Sequence, residues 1–379
     1  MKYKEKMIIG WSNKMKRALI LLPFLLIFLL TACLDSNKDD NAIDDDARHN
    51  NEKQTEKADR LELTGVINQG DSANTDRKDG DEEHDRTAWQ RLSQVERSVT
   101  SEDMRAFEVL HAVSAEKERY LAFGAYVMTN NFESIRIFKL GVSAGSAERL
   151  LRDFWSVEDR ESALVQLERL TTATGQTPVA DAIYNTLIKN DQLRELDGVE
   201  MYFADHDISG LEGVYNATVS RVERMESEFE RFMQEIQIEE EYREEAYELF
   251  IYVLLAERVN SGIEAYKGAK DLLINNFGYT QEELLNLPTL AAWDYGRVAI
   301  IARYGAQAGY IEEDEAWEYL KLAADNASGI YSSWREYTAA HILGRALAFG
   351  NPSTDFSDTL DFLLNHPESS FQTIDFKIS

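Results

Sequence analysis

Cysteine is almost absent from this chain, since Cys33 is the only one among 379 residues. One cysteine can form no disulfide within the chain and no cluster of thiolate ligands for a metal. Prolines number five and histidines six. Phosphate-binding and dinucleotide-binding glycine patterns are missing, as is the paired-histidine pattern of zinc proteases. The sequence therefore predicts neither a metal site nor a cofactor.

Basic residues are too few to balance the acidic ones. Forty lysines and arginines face 68 aspartates and glutamates, which gives a formal net charge of -28. Residues 1–32 contribute a net +5, so the remainder of the chain is near -33. Proteins that hold nucleic acid need patches of lysine and arginine to neutralise phosphates. We therefore expect no nucleic-acid partner, and any membrane link must run through a covalent lipid.

Long apolar runs are also lacking, apart from the 13 residues at positions 18–30. A membrane-spanning helix needs about 20 such residues. Three basic residues precede this run, and Leu-Thr-Ala-Cys, ending at Cys33, follows it. A basic stretch, an apolar core and a small-residue cleavage site are typical of a secretory signal. Because those four residues resemble the bacterial lipobox, we predict a signal peptide at 1–32 and a lipid-bearing (diacylglycerol and palmitate) Cys33.

This anchor predicts where the protein works. A lipidated Cys33 places it in the bacterial cell envelope, bound to a membrane through its acyl chains. Leu34 stands after the cysteine where an aspartate would favour the inner membrane, so the outer membrane is favoured if the source is Gram-negative. Met1 and Met15 are both candidate start residues, because Met15 opens a more ordinary signal sequence.

Aromatic residues are absent from 34–88. Between Leu34 and Arg86 the chain holds 17 acidic and 8 basic residues and few aliphatic ones. Such a segment cannot bury enough apolar surface to offset the entropy lost on ordering. We predict that 33–88 is the lipidated cysteine followed by a disordered acidic linker, which as a flexible coil would span about 40 Å.

Trp89 begins a region rich in aromatic residues and helical spacing that runs to residue 379. Apolar residues recur there at three- and four-residue steps, the pattern of amphipathic helices. Thr280 and Glu283 form a capping box before Leu284. No alternation typical of strands is sustained, although Ile135 to Leu140 allows a small β-hairpin near 126–140. We predict a mainly α-helical, single globular domain over 89–379.

One short motif suggests an enzyme. Residues 141–145 read Gly-Val-Ser-Ala-Gly, which matches the nucleophile elbow of α/β-hydrolases with Ser143 as nucleophile. That elbow needs a strained turn between a strand and a helix, and the rest of the chain offers no multi-stranded sheet. The competing interpretation is that Ser143 or Ser146 caps the next helix, and we favour it.

Charged residues and tryptophans interleave at helical spacing between 293 and 345. The spacing puts Asp294 and Arg297 on one helical face, where they can form an ion pair. We predict a partly buried network that either fixes helix packing, through pairing among Asp294, Arg297, Glu336 and Arg345, or receives an anionic ligand. Its members are Trp293, Asp294, Arg297, Arg303, Trp334, Glu336, His341 and Arg345.

These same residues carry a family resemblance. The motifs are Trp293-Asp-x-x-Arg297, Arg303, Gly309-Tyr-Ile, Glu315-x-Trp317, Ser333-Trp334-x-Glu336-Tyr337 and Gly344-Arg345, with Leu121-x-x-Gly124-Ala125, Trp155-x-Val157-x-Asp159-Arg160 and Ala163-Leu164-x-x-Leu167 upstream. They resemble a bacterial domain of unknown function, the one numbered 1266, over about 120–350. The family usually has serine or threonine at the position of Glu312. Its typical length also makes 177–276 a candidate insertion. The resemblance implies a helical domain and no established activity.

Two functions follow as hypotheses. The first is a non-catalytic envelope lipoprotein whose helical module binds an unknown protein or small molecule. The second is an envelope hydrolase that uses Ser143 or acidic residues near Trp293 and Trp334. We favour the first, because the sequence shows an anchor and a linker without an assembled catalytic signature.

Overall fold

A computed structural model describes residues 102–193, 195–203, 209–235 and 237–377. The predicted signal peptide 1–32, the lipidation site Cys33 and the acidic linker 33–88 lie outside the described residues. Those predictions therefore stay predictions.

The described residues confirm a mainly α-helical globular fold without a β-sheet. The first eight helices are α1 (Glu102–Leu110), α2 (Ala115–Ala122), α3 (Ala125–Asn130), α4 (Ala144–Trp155), α5 (Arg160–Thr171), α6 (Thr177–Ile183), α7 (Gly198–Phe203) and α8 (Glu212–Val222). The others are α9 (Glu226–Glu235), α10 (Arg243–Phe277), α11 (Gln281–Leu285), α12 (Ala292–Ala308), α13 (Glu313–Ile330), α14 (Trp334–Phe349), α15 (Ser357–Asn365) and α16 (Ser370–Thr373). A π-helical turn, Tyr184–Ile188, continues α6.

The described residues form two compact units. The smaller comprises 224–250, which holds α9 and the start of α10. Within it, Phe229 and Phe232 are buried, and the Phe232 ring lies 5.0 Å from that of Phe250. Arg243 forms an ion pair with Glu230. Aromatic packing and this charge pair hold the smaller unit together.

The larger unit comprises 102–223 and 251–377 and is built around α12. Every residue from 292 to 305 is buried, and α3, α4, α5, α13 and α14 all pack against this helix. A helix that is buried all round must be apolar or internally paired on every side. Close approach is part of this packing, because a Cβ at Gly124 would stand 2.2 Å from the Cβ of Ala299 on α12.

Local signals define the helix ends around this core. Gly309 ends α12 in the left-handed conformation, with φ 77°, which glycine adopts at little cost. The predicted capping box is confirmed, since Thr280 accepts from the N–H of Glu283 while Glu283 accepts from the N–H of Thr280. At α13, the Glu315 carboxylate accepts a hydrogen bond from the N–H of Glu312 at 3.1 Å. That bond satisfies a backbone donor at the start of the helix.

The predicted hairpin near 126–140 is wrong. Residues 125–130 form α3, and the segment after it makes one isolated antiparallel bridge, between Ala112 and Ile137. Ile135 and Ile137 are buried as their alternation predicts. Burial of this segment does not make it a strand, because no second segment among the described residues supplies a ladder of hydrogen bonds.

The helices of the described ranges differ from membrane-spanning segments in length or in hydropathy. None of these helices combines the length and the apolar character needed to cross a bilayer.

Candidate functional site

Asp294 stands in the first turn of α12 and is completely buried. Its carboxylate accepts hydrogen bonds from the N–H groups of Gln176 and Thr177, each at 3.0 Å, and from the Thr177 hydroxyl at 2.8 Å. Arg297, one turn later, forms an ion pair with the same carboxylate. Asp294 thus joins α12 to the first residues of α6 and leaves none of its charge open to solvent.

Arg297 is the buried cation of this pair. Its guanidinium lies 4.7 Å from the centre of the Trp293 ring and 5.4 Å from that of Trp155. Burial lowers the pKa of Arg297, and the charge of Asp294 opposes that change. The aromatic faces and the carboxylate together replace the water that the guanidinium loses.

His341 and Trp334 are also part of the packing. The His341 ring stacks on Tyr126 at 4.6 Å, and its Nδ1 lies 3.2 Å from the carbonyl oxygen of Ala292. Burial lowers the pKa of His341 to about 3, so the imidazole is neutral at pH 7. Trp334 donates from Nε1 to the carbonyl oxygen of Ile374 at 2.7 Å and stacks on Phe371 at 4.3 Å.

Glu336 and Arg345 do not join the pair formed by Asp294 and Arg297, so the predicted four-residue pairing is wrong in this part. Glu336 accepts from the N–H of Ser332 at 2.6 Å and from its hydroxyl at 2.5 Å. Arg345 instead forms a two-pronged pair with Asp355, at 3.1 Å for each contact. Each of the two side chains binds a residue that is close to it in the sequence. Glu336 binds Ser332 just before α14, and Arg345 binds Asp355 just after it.

Arg303 lies near the other end of α12 and is 1% exposed. Its guanidinium donates to three backbone carbonyl oxygens, those of Ser134 (2.9 Å), Phe138 (3.0 Å) and Lys139 (3.3 Å). Burial lowers its pKa to about 10, while the nearby Glu133 carboxylate opposes that change. Arg303 therefore holds the segment after α3 against the central helix.

These eight predicted residues do not line an open cleft. Seven of them are buried, and Glu336 is half-buried at the start of a helix. Their bonded polar groups contact backbone, one another or nearby side chains such as Asp355, so an anionic ligand meets no exposed guanidinium. Three further polar atoms, Trp293 Nε1, Arg297 Nε and His341 Nε2, are buried without a hydrogen-bond partner among the described residues. This arrangement accounts for the packing of the helices and does not in itself form a catalytic or ligand-binding site.

Ser143 caps α4, as the competing interpretation of the Gly-Val-Ser-Ala-Gly motif predicts. Its hydroxyl accepts from the N–H of Ser146 at 3.3 Å and lies 3.1 Å from the Ser146 hydroxyl. Since the described residues contain no sheet, no strand leads into this turn. The strained strand-to-helix turn of a nucleophile elbow is therefore not formed at Ser143.

An open groove lies elsewhere in the larger unit, and sequence reasoning missed it. It has a volume of about 470 Å³ and runs between α1 and α15, so we name it the α1–α15 groove. The residues that line it are Arg105, Glu108, Val109, Ala112, Val113, Glu118, Ile135, Arg136, Ile137, Phe362 and Glu368. They combine five charged side chains with an apolar lining.

The two arginines of this groove are already paired. Arg105 donates to both oxygens of Glu368 at 2.7 Å, and Arg136 donates from Nε to Glu118 at 2.6 Å. Glu108 is bound instead by the hydroxyl of Ser134, at 2.5 Å. Burial raises the pKa of Glu108, against the effects of that hydroxyl and of the Arg136 charge.

The carboxylates of the groove do not form a metal site. Across the ranges that the structure describes, no group of three or more histidine, cysteine, aspartate or glutamate side chains is placed to hold a metal ion. Part of the rim is apolar, with Val109 81% exposed and Leu110 76% exposed. What the groove offers is a half-buried carboxylate beside an apolar surface.

Comparison with known proteins gives a family and no activity. No match to this chain was found among curated proteins or among solved structures. A family model described as "Protein of unknown function (DUF1266)" matches residues 150–376, which is more than half of the chain. The match contains α12 to α14 and their motifs, while the similar residues at 121–125 lie before it. The chain therefore belongs to the DUF1266 family of proteins of unknown function.

Proposed function

We propose that this protein is a lipid-anchored module of the bacterial cell envelope that binds a partner and performs no catalysis. The observation that supports binding is the α1–α15 groove, which is open and lined by both apolar and charged side chains. Concave, largely apolar surfaces with a few polar groups are the usual places where proteins hold ligands. The anchor rests on the sequence around Cys33.

The absence of catalysis is supported by where the reactive groups are. The histidine with a strongly lowered pKa, His341, is fully buried between aromatic rings. Ser143 caps a helix and is hydrogen-bonded to Ser146. A catalytic group must come within hydrogen-bond reach of its substrate, which burial prevents for His341. Ser143 is exposed, but the hydrogen bonds given for its hydroxyl are to Ser146. Turnover of an envelope substrate by the purified protein would contradict this part of the proposal.

The anchor gives the first prediction. Replacement of Cys33 by serine should move the protein from the membrane fraction to the soluble fraction, because serine cannot form the thioether. Ser36→Ala, three residues later, should leave it in the membrane. Fractionation and mass spectrometry of natively produced protein measure both effects. A membrane-bound Cys33→Ser protein, or an unmodified Cys33 in the native protein, would contradict the anchor.

The groove gives the second prediction. A photo-reactive amino acid at Val109, on the groove rim, should crosslink to a partner in living cells. The matched control is Val165, an exposed valine (51%) on α5 outside the groove. Gel shifts and mass spectrometry of the adducts measure the difference. Equal adduct yields at the two positions, or none at either, would contradict a binding function for this groove.

A further inference from the structure

We propose that the α1–α15 groove binds a basic, amphipathic peptide segment of a partner protein, with a lysine or arginine side chain at Glu108. Apolar side chains of the same segment would cover Val109 and the apolar lining. This inference rests on the proposed binding function and names the chemistry of the partner.

The charges in the groove favour a cation. Three carboxylates face two guanidinium groups, and Arg105 and Arg136 are already bound to Glu368 and Glu118. Glu108 is the remaining carboxylate, and within the described residues its hydrogen-bond partner is a neutral hydroxyl. Arg136 is near enough to lower the pKa of Glu108, but its guanidinium is bound to Glu118. A half-buried carboxylate that has no ion pair of its own gains from a further cation that replaces lost water.

The shape favours a segment with an apolar side. Val113, Ile135, Ile137 and Phe362 line the groove, and exposed Val109 and Leu110 extend that apolar surface to its rim. Apolar residues grouped around a concave surface mark interaction sites in soluble proteins. The apolar surface continues past the groove, and a peptide segment can cover both, which a small amine cannot.

The charge of the whole chain favours the same partner. A formal net charge of -28 attracts basic molecules and repels acidic ones. It therefore raises the rate of association with basic partners and lowers that with acidic partners. The same charge repels an anionic lipid surface. A basic amphipathic segment is therefore the class of partner that fits the charge, the lining and the open form together.

The test is peptide binding by the full-length lipidated protein in a neutral detergent, with empty micelles as the blank. The probe is a fluorescein-labelled peptide of leucines and lysines in amphipathic helical order, and fluorescence anisotropy gives its Kd. Glu108→Gln keeps an acceptor for the Ser134 hydroxyl and removes the charge. We expect it to raise Kd about tenfold, the size of a partly buried charge pair.

Two controls define this effect. Glu318→Gln removes an exposed carboxylate from α13, outside the groove, and should leave Kd unchanged. A probe with glutamine in place of each lysine should bind the native protein and the Glu108→Gln variant equally. Thermal unfolding of both variants, followed by circular dichroism, checks that they fold.

Several outcomes would overturn the inference. Equal Kd values for Glu108→Gln and Glu318→Gln would show that the peptide is attracted by the overall charge of the protein and not by Glu108. Tighter binding after Trp89→Ser and Leu92→Ser would show that the chain's own segment before α1 occupies the groove. A Val109 adduct of twice the protein mass would identify a second copy as the occupant. Adducts with another protein, together with no peptide binding, would refute the partner class and leave the binding function standing.

Discussion

Replacement of Asp294 by alanine is expected to lower the free energy of unfolding by about 3–5 kcal/mol. The change leaves the Arg297 guanidinium buried without its carboxylate. It also leaves the two N–H groups at 176 and 177 and the Thr177 hydroxyl without their acceptor. An uncompensated buried charge and unpaired buried donors are among the costliest defects that one substitution can create.

Chemical denaturation measures this loss, and two further variants identify its cause. Asp271→Ala removes an exposed carboxylate from α10 and should change stability by less than about 0.5 kcal/mol. Arg297→Met in the Asp294→Ala background should restore part of the stability, because it removes the stranded charge. A double variant less stable than Asp294→Ala alone would contradict the ion-pair explanation.

The ion pair itself could be predicted from the sequence, because it is local. Asp294 and Arg297 are three residues apart on one helix, and that spacing alone brings their side chains together. Caps are equally local, so the capping box of Thr280 and the helix cap of Ser143 follow from a few neighbouring residues. The mainly α-helical fold could be predicted for the same reason, because the three- and four-residue spacing of apolar residues indicates each helix independently of the others.

Partners from distant parts of the chain could not be predicted. The second partner of Asp294 is the backbone at 176–177, more than a hundred residues earlier. Nearly every residue has a backbone N–H group, so the sequence does not indicate which of them will bind a carboxylate. Arg345 was expected to join the central pair but reaches Asp355 beyond the end of α14. Charge spacing tells which residues share a helical face and not which other element that face meets.

The α1–α15 groove is the clearest case of this limit. Arg105 and Glu368 form an ion pair across 263 positions of the chain. Val109 and Leu110 belong to residue types that are usually buried, yet they are 81% and 76% exposed. Only the folded chain shows that an apolar pair on α1 is left uncovered beside a half-buried carboxylate. The residues proposed for function therefore differ from those that the sequence singles out.

Arg303 connects the buried centre of the family domain to this groove, and its replacement by methionine is expected to affect both. Methionine fills much of the volume but donates nothing to the carbonyl oxygens of Ser134, Phe138 and Lys139. It also takes a positive charge away from buried Glu133. Unpaired buried acceptors cost about 1–3 kcal/mol each before relaxation, so we expect a net loss of about 2–4 kcal/mol.

The loss should be concentrated in the segment that forms one wall of the groove. Ser134 binds Glu108, and Ile135 to Ile137 line the groove, so a loosened segment would weaken peptide binding as well as stability. Hydrogen exchange should accelerate at 134–140 in Arg303→Met, with Arg303→Lys intermediate because one ammonium group cannot reach all three carbonyls. Arg152→Met, at an exposed arginine of α4, is the matched control and should change neither property. Unchanged exchange at 134–140 would mean that α12 does not hold the groove wall, and that the buried network and the groove are independent.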